Sequence, residues 1–389
     1  MTLPLALVVF TLVALIATLS ATELVRVTAH RLQAVDAPGG RRVHRRPTAR
    51  LGGLGIFWGF TVSMLLATYG RVLLDPLQGG DFGMIGMLAG SGLLLMVGIA
   101  DDVRGLGAVS KLLFQIGAAS VLYASGWRVE SIGIPGWGVW ATGNTAFPLT
   151  LLWVLAVTNA VNLIDGLDGL ACGIALIATF AIAALIAPGG SPLLLATAAL
   201  GGALIGFLWY NLHPAQIFMG DAGSLFVGFV LSGMTLRAGQ IASSEAFPLV
   251  PALLLAVPLL DTCNAILRRA GGAARGARSI PDLVRAVRKR LFAPDGHHIH
   301  HRLLRAGLSA WQAAAVLWTA AAGFAIAGCV LAVAPLMGYA LIAALMLAVG
   351  WGHAHVRSRE RASVPWPRAA TASASAQSEA QIEAPRRAA

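Results

Sequence analysis

Met84-Ile-Gly-Met-Leu-Ala-Gly-Ser-Gly-Leu-Leu-Leu-Met-Val-Gly-Ile-Ala100 contains no charged residue, and the adjacent pair Asp101-Asp102 follows it directly. The run approaches the roughly 20 residues that an α-helix needs to cross a bilayer. Carboxylates at a membrane face cost free energy unless a metal, a cation or a substrate lies near them. The stretch therefore predicts a membrane-spanning helix that ends at a metal and phosphate site.

The composition of the whole chain is typical of a membrane protein. Of its 389 residues, 57% are hydrophobic and only 12% are charged, whereas a soluble domain carries about 25% charged residues. We therefore predict an all-α polytopic membrane protein with about eleven transmembrane helices. The apolar runs lie at approximately 3–20, 52–69, 82–100, 111–126, 147–163, 169–187, 192–210, 215–235, 246–267, 311–333 and 336–352.

Arginine and lysine residues predict the orientation of these helices. The loops after the first and ninth runs are rich in cations, whereas the predicted external loops carry at most one each. Because cytoplasmic loops carry the excess of cations, the N-terminus should lie outside and the C-terminus in the cytoplasm. The net charge of +11 does not indicate a nucleic-acid partner, since the cations cluster in loops between apolar runs.

The end of the chain differs from the rest in composition. Residues 1–355 form the predicted integral membrane domain, whereas 356–389 are rich in alanine, arginine, serine and proline and lack an apolar period. Segments of this kind cannot bury enough apolar surface to fold. We predict that 356–389 form a disordered cytoplasmic tail.

The predicted orientation puts most acidic residues on the cytoplasmic side. Solvation of charged loops does not explain acids at the ends of apolar helices, but a shared polar site does. A secondary transporter is the rival class, although its acids would lie near the centres of spans, between inverted repeats. The cytoplasmic acids are Asp36, Asp101, Asp102, Asp165, Asp168, Asp221, Asp261 and Asp295.

Two motifs combine amides, acids and glycines at the ends of apolar runs. Asn159-Ala-Val-Asn-Leu-Ile-Asp-Gly-Leu-Asp-Gly169 would place Asn159, Asn162 and Asp165 on one helical face. The alternative, a capped helix–turn–helix connection, leaves both asparagines unexplained. In Asn211-Leu-His-Pro-Ala-Gln-Ile-Phe-Met-Gly-Asp-Ala-Gly-Ser224, glycines permit close approach of a ligand, an aspartate can bind Mg²⁺ and an aromatic ring can stack on a base.

Two further motifs are basic. Asp295-Gly-His-His-Ile-His-His-Arg302 predicts phosphate binding, with a zinc site and a solvated basic loop as alternatives. In the segment from Asp36 to Gly53, most arginines suit lipid headgroups and topology, and His44 and the Gly52-Gly53 pair are better site candidates.

Two isolated charged residues allow more than one interpretation. Lys111 could pair with Asp101 or a phosphate, or act as an interfacial anchor. We expect Asp261 to form a structural ion pair with Arg268 or Arg269.

Together these motifs resemble the polyprenyl-phosphate N-acetylhexosamine-1-phosphate transferases of glycosyltransferase family 4, whose sister group is phospho-MurNAc-pentapeptide translocase. The resemblance runs from about Asp36 to Leu304. Gly39 and Ala49 stand where the family often has Asn and Pro, which affects only the first loop. The His-Ile-His-His string favours the N-acetylhexosamine branch. The matching strings are Asp36-x-Pro…His44…Gly52-Gly53, Asp101-Asp102…Lys111…Gln115, Asn159-x-x-Asn162-x-x-Asp165-Gly-x-Asp168-Gly, Phe218-Met-Gly-Asp221-x-Gly-Ser224, Pro258-Leu-Leu-Asp261-Thr and His298-Ile-His-His301-Arg302.

The resemblance implies a phosphotransferase in the bacterial inner membrane with its active site facing the cytoplasm. It would transfer a sugar-1-phosphate, N-acetylhexosamine-1-phosphate, from a UDP-amino sugar to undecaprenyl phosphate and release UMP. The product would initiate a cell-envelope polysaccharide such as O-antigen. UDP-MurNAc-pentapeptide is the alternative substrate. The resemblance also implies contact with membrane lipids. A homodimer is one assembly that it allows.

The resemblance also implies roles for individual residues. Asp101 and Asp102 would orient or deprotonate the lipid phosphate near Lys111. Asp165 would support the metal site or act as a nucleophile in a two-step route, although direct attack by the ionised lipid phosphate is favoured. Asp221 and Asn162 would hold Mg²⁺, with Mn²⁺ as an alternative. The substrate-binding residues would be Asn211, Phe218, Asp168, His44, His298, His300, His301 and Arg302.

Overall fold

A computed structural model describes most of the chain, and the described residues are mostly helical. His44, Asp295 and most of the predicted tail lie outside these residues. The described ranges are 2–31, 35–36, 47–74, 82–134, 138–242, 247–274, 282 and 298–362.

The described ranges consist mainly of helices, with two small antiparallel β-pairs. The strands are β1 (Val35–Asp36), β2 (Thr48–Ala49), β3 (Ser131–Ile134) and β4 (Gly138–Ala141). The helices are α1 (Leu3–Arg31), α2 (Gly53–Leu74), α3 (Phe82–Arg104), α4 (Ala108–Ala124), α5 (Ala146–Ile164), α6 (Leu170–Ile186), α7 (Leu193–Asn211), α8 (Gly220–Ala242), α9 (Leu249–Leu254), α10 (Ala256–Ala274), α11 (Ile299–Arg305), α12 (Ala310–Val333) and α13 (Pro335–Ala362).

The structure agrees with the prediction of a polytopic membrane protein built mainly from helices. Within the described ranges, eight helices are long and apolar enough to cross a membrane, and two shorter apolar helices cover Gly53–Tyr69 and Ala108–Ala124. The helix α13 continues to Ala362, past the boundary at 355 that the composition predicts for the membrane domain.

The predicted run 246–267 is not a single helix, because α9 ends at Leu254 and α10 begins at Ala256. Pro258 lies in the first turn of α10. A proline ring clashes with the carbonyl four residues earlier and provides no N–H to it. The helix therefore stops before this proline and restarts.

The helix α8 lies at the centre of the bundle. It packs against α2, α3, α5, α6 and α9 and is buried along almost all of its length. Small residues permit this contact: a Cβ on Gly98 of α3 would lie 2.4 Å from the Ala222 Cα atom of α8. Close backbone approach of this kind is the usual way in which membrane helices associate.

The segments before α2 and α8 are joined through their backbones. The strand β2 pairs with β1, and Ala49 forms a parallel bridge with Ile217. Phe218 N–H donates to the Ala49 carbonyl at 2.9 Å, and Gly52 N–H donates to the Phe218 carbonyl at 3.0 Å. This small sheet fixes the start of α2 against the start of α8, at the end of the bundle where α3 and α5 terminate.

Candidate active site

A cavity of about 340 Å³ opens at this end of the bundle. Residues from five separate sequence motifs meet in its wall, as expected for acids at the ends of apolar helices. Sequence-predicted site residues in the wall are Asp101, Asp102, Asn162, Asp165, Asp168, Asn211, Phe218, Asp221 and His301. The wall also contains Asp36, Arg50 and His213.

Lys111 joins two of the acids at the cavity. Its Nζ atom lies 3.0 Å from Asp101 Oδ2 and 2.9 Å from Asp221 Oδ2. The other oxygen of Asp101 accepts a hydrogen bond from Leu106 N–H at 2.6 Å. The predicted pairing of Lys111 with Asp101 is therefore confirmed, and Asp221 shares the same ammonium group.

Asp102 has a different environment from its neighbour. Its two carboxylate oxygens accept hydrogen bonds from the N–H groups of Asp221 and Ala222, at 3.1 and 3.0 Å. The first N–H groups of a helix have no partner within the helix, and a carboxylate there is favourable. This geometry does not support the predicted role of Asp102 in deprotonating a lipid phosphate, because both oxygens hold the start of α8 in place.

The amide of Asn162 is oriented by a hydroxyl group of α8. Ser224 Oγ donates to the Gly220 carbonyl at 3.0 Å, so it can only accept from the Asn162 side-chain NH₂ group, 2.8 Å away. This leaves the Asn162 Oδ1 atom available at the cavity. Asn159, predicted on the same helical face, does not line the cavity. Its amide pairs with that of Gln115.

Asp165 follows the last turn of α5 and lies at the cavity. Burial raises the pKa of its carboxyl to about 8, and the negative charges of Asp221, Asp102 and Asp168 contribute to the shift. Among the residues that the structure describes, none donates a hydrogen bond to this carboxylate. Repulsion between acids at one cavity favours the binding of a cation there.

A second group of residues ties the loop after α5 to the loop after α7. Asp168 Oδ2 lies 2.7 Å from His213 Nδ1 and 3.1 Å from the Ala215 amide nitrogen. Asn211 accepts from Gly169 N–H and donates to the Ile217 carbonyl. Asn211, predicted to bind substrate, therefore uses both ends of its amide to hold these loops.

The histidine motif is only partly directed at the cavity. His298 is buried, and its Nδ1 atom lies 2.7 Å from Asp261 Oδ2. Asp261 also accepts from Ile299 N–H at 2.9 Å, so it caps α11 and does not pair with Arg268 or Arg269 as predicted. The structure does not support a substrate contact for His298, because its ring is held inside the protein.

The next residues of this motif also differ in environment. His300 is buried, and burial together with the nearby His301 lowers the pKa of its imidazole to about 3. Arg302 lies 3.1 Å from His353 Nδ1. Of the predicted phosphate ligands in this motif, His301 lines the cavity wall, whereas His300 and Arg302 do not.

The sequence interpretation missed two residues of the cavity wall, Arg50 and His213. Arg50 belongs to the arginine-rich segment before α2, and its position two residues before Gly52 is the available signal. His213 lies between Asn211 and Phe218, within a motif already selected. His44 lies outside the described residues, so its role in substrate binding stays a prediction.

The residues of the cavity wall fit Mg²⁺. Mg²⁺ uses one or two carboxylates together with water and substrate phosphates, and the excess of acids with the available Asn162 Oδ1 atom suits such an ion. Asp221 and Asn162 could hold it. Within the described part of the chain, no group of three or more histidine, cysteine, aspartate or glutamate residues is arranged to hold a metal ion by itself. Part of the histidine motif lies outside that part of the chain, so the zinc alternative stays a prediction.

The sequence of this chain is similar to those of known proteins. Residues 84–239 match the family model described as glycosyl transferase family 4. The chain is 36% identical over 335 residues to a protein of Bacillus subtilis (strain 168) named probable undecaprenyl-phosphate N-acetylglucosaminyl 1-phosphate transferase. This match covers 83% of the chain and 84% of the relative.

Two further relatives bear on the choice of substrate branch. A decaprenyl-phosphate N-acetylglucosaminephosphotransferase of Mycolicibacterium smegmatis is 36% identical over 370 residues, which covers 87% of this chain and 86% of the relative. A phospho-N-acetylmuramoyl-pentapeptide-transferase of Heliobacterium modesticaldum is 37% identical over 194 residues. This match covers 49% of the chain and 53% of the relative. With acidic motifs converging on one cavity and relatives matched over most of their length, the chain belongs to glycosyl transferase family 4 and is a membrane-embedded transferase.

Proposed function

We propose that this protein transfers N-acetylglucosamine 1-phosphate from UDP-N-acetylglucosamine to a polyprenyl phosphate and releases UMP. The main support is that four acids, Asp101, Asp165, Asp168 and Asp221, meet at one cavity where apolar helices end. Lys111 pairs with two of them, Asp101 and Asp221. A lipid phosphate at a membrane surface can reach such a position, and a soluble nucleotide can enter from the aqueous side. The names of the relatives matched over most of the chain support this transferred group and this class of acceptor.

The reaction is a phosphoryl transfer, for which a protein mainly provides positioning and charge stabilisation. An oxygen of the lipid phosphate forms a bond to the β-phosphorus of the nucleotide sugar. The bond from that phosphorus to the oxygen bridging the two phosphates breaks, and UMP leaves with the electron pair. The ionised lipid phosphate is already a nucleophile, so no separate base is required.

The residues of the cavity divide these tasks. Asp221 and Asn162 would hold Mg²⁺, or Mn²⁺ as an alternative, and this ion would neutralise charge on the pyrophosphate. Asp102 fixes the start of α8 and hence the position of Asp221. Lys111 would stabilise a phosphate beside Asp101. Phe218 lines the cavity, where a base could stack on its ring.

The cellular setting follows from the same proposal. The cation-rich loops support an active site on the cytoplasmic side of the bacterial inner membrane, where nucleotide sugars are made. The lipid-linked product would initiate a cell-envelope polysaccharide, of which O-antigen is one class. The pentapeptide transferase alternative is less well supported, since that relative matches only about half of the chain.

The proposed reaction can be tested with purified protein in detergent. The assay contains Mg²⁺, undecaprenyl phosphate and radiolabelled UDP-N-acetylglucosamine, and it follows both UMP release and labelled lipid. Asp221→Asn should abolish the labelling. Glu130→Gln is the matched control, because Glu130 pairs with Arg128 on the predicted external side and should retain wild-type activity.

Each outcome of this assay has a clear meaning. Labelled lipid that is lost in Asp221→Asn would support the reaction and the sugar together. UMP release only from another UDP-sugar would change the donor. A folded wild-type protein that is inactive with every UDP-sugar would contradict the proposed transfer. Trapping of phosphorylated enzyme with the UDP-sugar alone would replace direct attack by the two-step route through Asp165.

A further inference from the structure

We propose that Arg50 is a phosphate-binding residue of this cavity, in addition to the residues that the sequence motifs assign. The proposal rests on the proposed function, since it assumes that both substrates bring phosphate groups into the cavity. Arg50 lines the wall together with Asp101, Asp102 and Phe218. A structural ion pair with no substrate contact is the competing explanation.

The position of Arg50 is fixed by the small sheet beside the cavity. It directly follows β2, whose Ala49 carbonyl accepts a hydrogen bond from Phe218 N–H. Further along, Gly53 N–H donates to the Met219 carbonyl at 3.0 Å. The backbone on both sides of Arg50 is therefore bonded to the segment that leads into Asp221.

The side chain of Arg50 is oriented by a buried acid. Asp36 lies opposite Thr48 in the β1–β2 pair, so Arg50 is its diagonal neighbour on the same face of the sheet. Arg50 NH2 lies 2.6 Å from Asp36 Oδ1, and the Asp36 side chain is only 10% exposed whereas that of Arg50 is 34% exposed. Asp36 therefore holds one nitrogen of the Arg50 guanidinium, and the rest of this group lies at the cavity wall.

The backbone next to Arg50 adopts an unfavourable conformation. Leu51 has a φ of 74°, in the left-handed region that branched or bulky L-residues rarely enter. The turn delivers Gly53 against α8, where a Cβ on Gly53 would lie 2.1 Å from the Gly223 nitrogen. Such conformations persist where the surroundings enforce them, and they concentrate at functional sites.

The balance of charge at the cavity calls for a permanent cation. Six aspartates line the wall, and two of them share the ammonium group of Lys111. Arg50 is the one arginine or lysine among the lining residues in the described part of the chain. A phosphomonoester brings about −1.5 to −2 charges at pH 7, and the nucleotide sugar adds more. A guanidinium has five N–H donors, of which the described contacts of Arg50 use one, to Asp36.

The test compares three variants with a matched control. Arg50→Gln removes the charge, Arg50→Lys keeps it without the fork of donors, and Asp36→Asn weakens the anchor. Arg26→Gln is the control, because Arg26 forms an ion pair of the same 2.6 Å length with Glu23 on α1 and does not line the cavity. The measurements are KM for UDP-N-acetylglucosamine, KM for undecaprenyl phosphate, kcat and the thermal unfolding midpoint in detergent.

We expect Arg50→Gln to raise one KM about tenfold or more, because hydrogen bonds to charged groups are strong, with little change in the unfolding midpoint. Arg50→Lys and Asp36→Asn should show smaller increases, and Arg26→Gln none. The KM that rises distinguishes the two phosphate sources: the nucleotide sugar or the lipid. Unchanged KM values would overturn the proposal, as would a loss of stability that accounts for the whole effect.

A binding measurement separates this proposal from the proposed reaction. If wild-type protein and Arg26→Gln fail to label lipid, the proposed reaction fails. Calorimetric titration with UDP-N-acetylglucosamine and with a short-chain polyprenyl phosphate then tests Arg50 without turnover. Weaker binding of either compound to Arg50→Gln would support the proposal, and equal binding of both would contradict it.

Discussion

At the scale of single residues, Ser224 determines which atom Asn162 presents to the cavity. The Ser224 hydroxyl donates to Gly220 and accepts from the Asn162 NH₂ group. Ser224→Ala removes the acceptor, so the amide can rotate and the oxygen ligand is lost. Outer partners of metal ligands typically contribute about 10- to 100-fold to affinity. We expect weaker Mn²⁺ binding, measured by electron paramagnetic resonance of the purified protein.

The matched control for this variant is Ser232→Ala. Ser232 is also buried on α8, but its hydroxyl donates to the Phe229 carbonyl of the same helix, away from the cavity. Mn²⁺ affinity should be unchanged in that variant. Equal Mn²⁺ affinity in Ser224→Ala and the wild type would show that Ser224 does not orient a metal ligand.

His300 makes a separate prediction about pH. Burial lowers its pKa to about 3 in the folded protein, whereas an unfolded histidine titrates near about 6.5. Between these values the unfolded state binds more protons, so the free energy of unfolding falls as the pH falls, by up to about 1.4 kcal/mol per pH unit. Unfolding midpoints from pH 7 to 5 should therefore decline less steeply in His300→Gln than in the wild type.

A surface histidine provides the comparison for this experiment. His355 is exposed on α13 and stacks on Trp351. His355→Gln is the control for the loss of a histidine side chain at an exposed position. If the unfolding midpoints of His300→Gln and the wild type decline in parallel as the pH falls, the His300 imidazole is not held neutral by burial.

The residue scale also shows what the sequence could predict. Acids at helix ends predicted the cavity because the location of a charge in an apolar chain is visible in sequence. The partners of those acids could not be predicted. Asp102, for example, accepts hydrogen bonds from backbone N–H groups 119 and 120 positions away. Asp261 likewise pairs with His298 across a long segment. Such contacts depend on packing, which local patterns do not encode.

At the scale of elements, the contact of α3 with α8 depends on the absence of side chains. A Cβ on Gly98 would lie 2.4 Å from the Ala222 backbone nitrogen, beside Asp221. Gly98→Ala should therefore force the helices apart, at a cost of about 1–3 kcal/mol, and displace the start of α8. We expect a lower unfolding midpoint in detergent together with a loss of transferase activity.

Gly117 is the matched control on a neighbouring helix. It lies within α4, and a Cβ there would meet nothing within 4 Å. Alanine in a helix is favoured over glycine by about 1 kcal/mol, so Gly117→Ala should keep or raise the midpoint. Equal unfolding midpoints for Gly98→Ala and Gly117→Ala would contradict the close α3–α8 contact.

Element boundaries were predictable wherever a long apolar run met a clear stop. The run that ends at Asp101-Asp102 corresponds to α3, which ends at Arg104. The run 246–267 was wrong as a single helix, because hydropathy averages over Pro258 and does not register the break that this ring imposes. The β1–β2 pair was also missed, since two-residue strands carry no periodic signal.

At the scale of the whole molecule, the orientation in the membrane is predicted by charge. The cavity lies at the end of the bundle that holds the start of α4, and the β3–β4 hairpin follows the other end of that helix. The positive-inside rule assigns the cavity end to the cytoplasm. Residues of these two regions should therefore differ in their access to a reagent that cannot cross membranes.

This orientation can be measured by cysteine labelling in cells. The native Cys172, Cys263 and Cys329 are first replaced by alanine, and single cysteines are introduced at the exposed positions Val139 on β4 and Ala108 at the start of α4. An impermeant maleimide should label Val139→Cys in intact cells, and Ala108→Cys only after permeabilisation. The reverse pattern would put the cavity outside, away from nucleotide sugars, and would contradict both the orientation and the proposed donor.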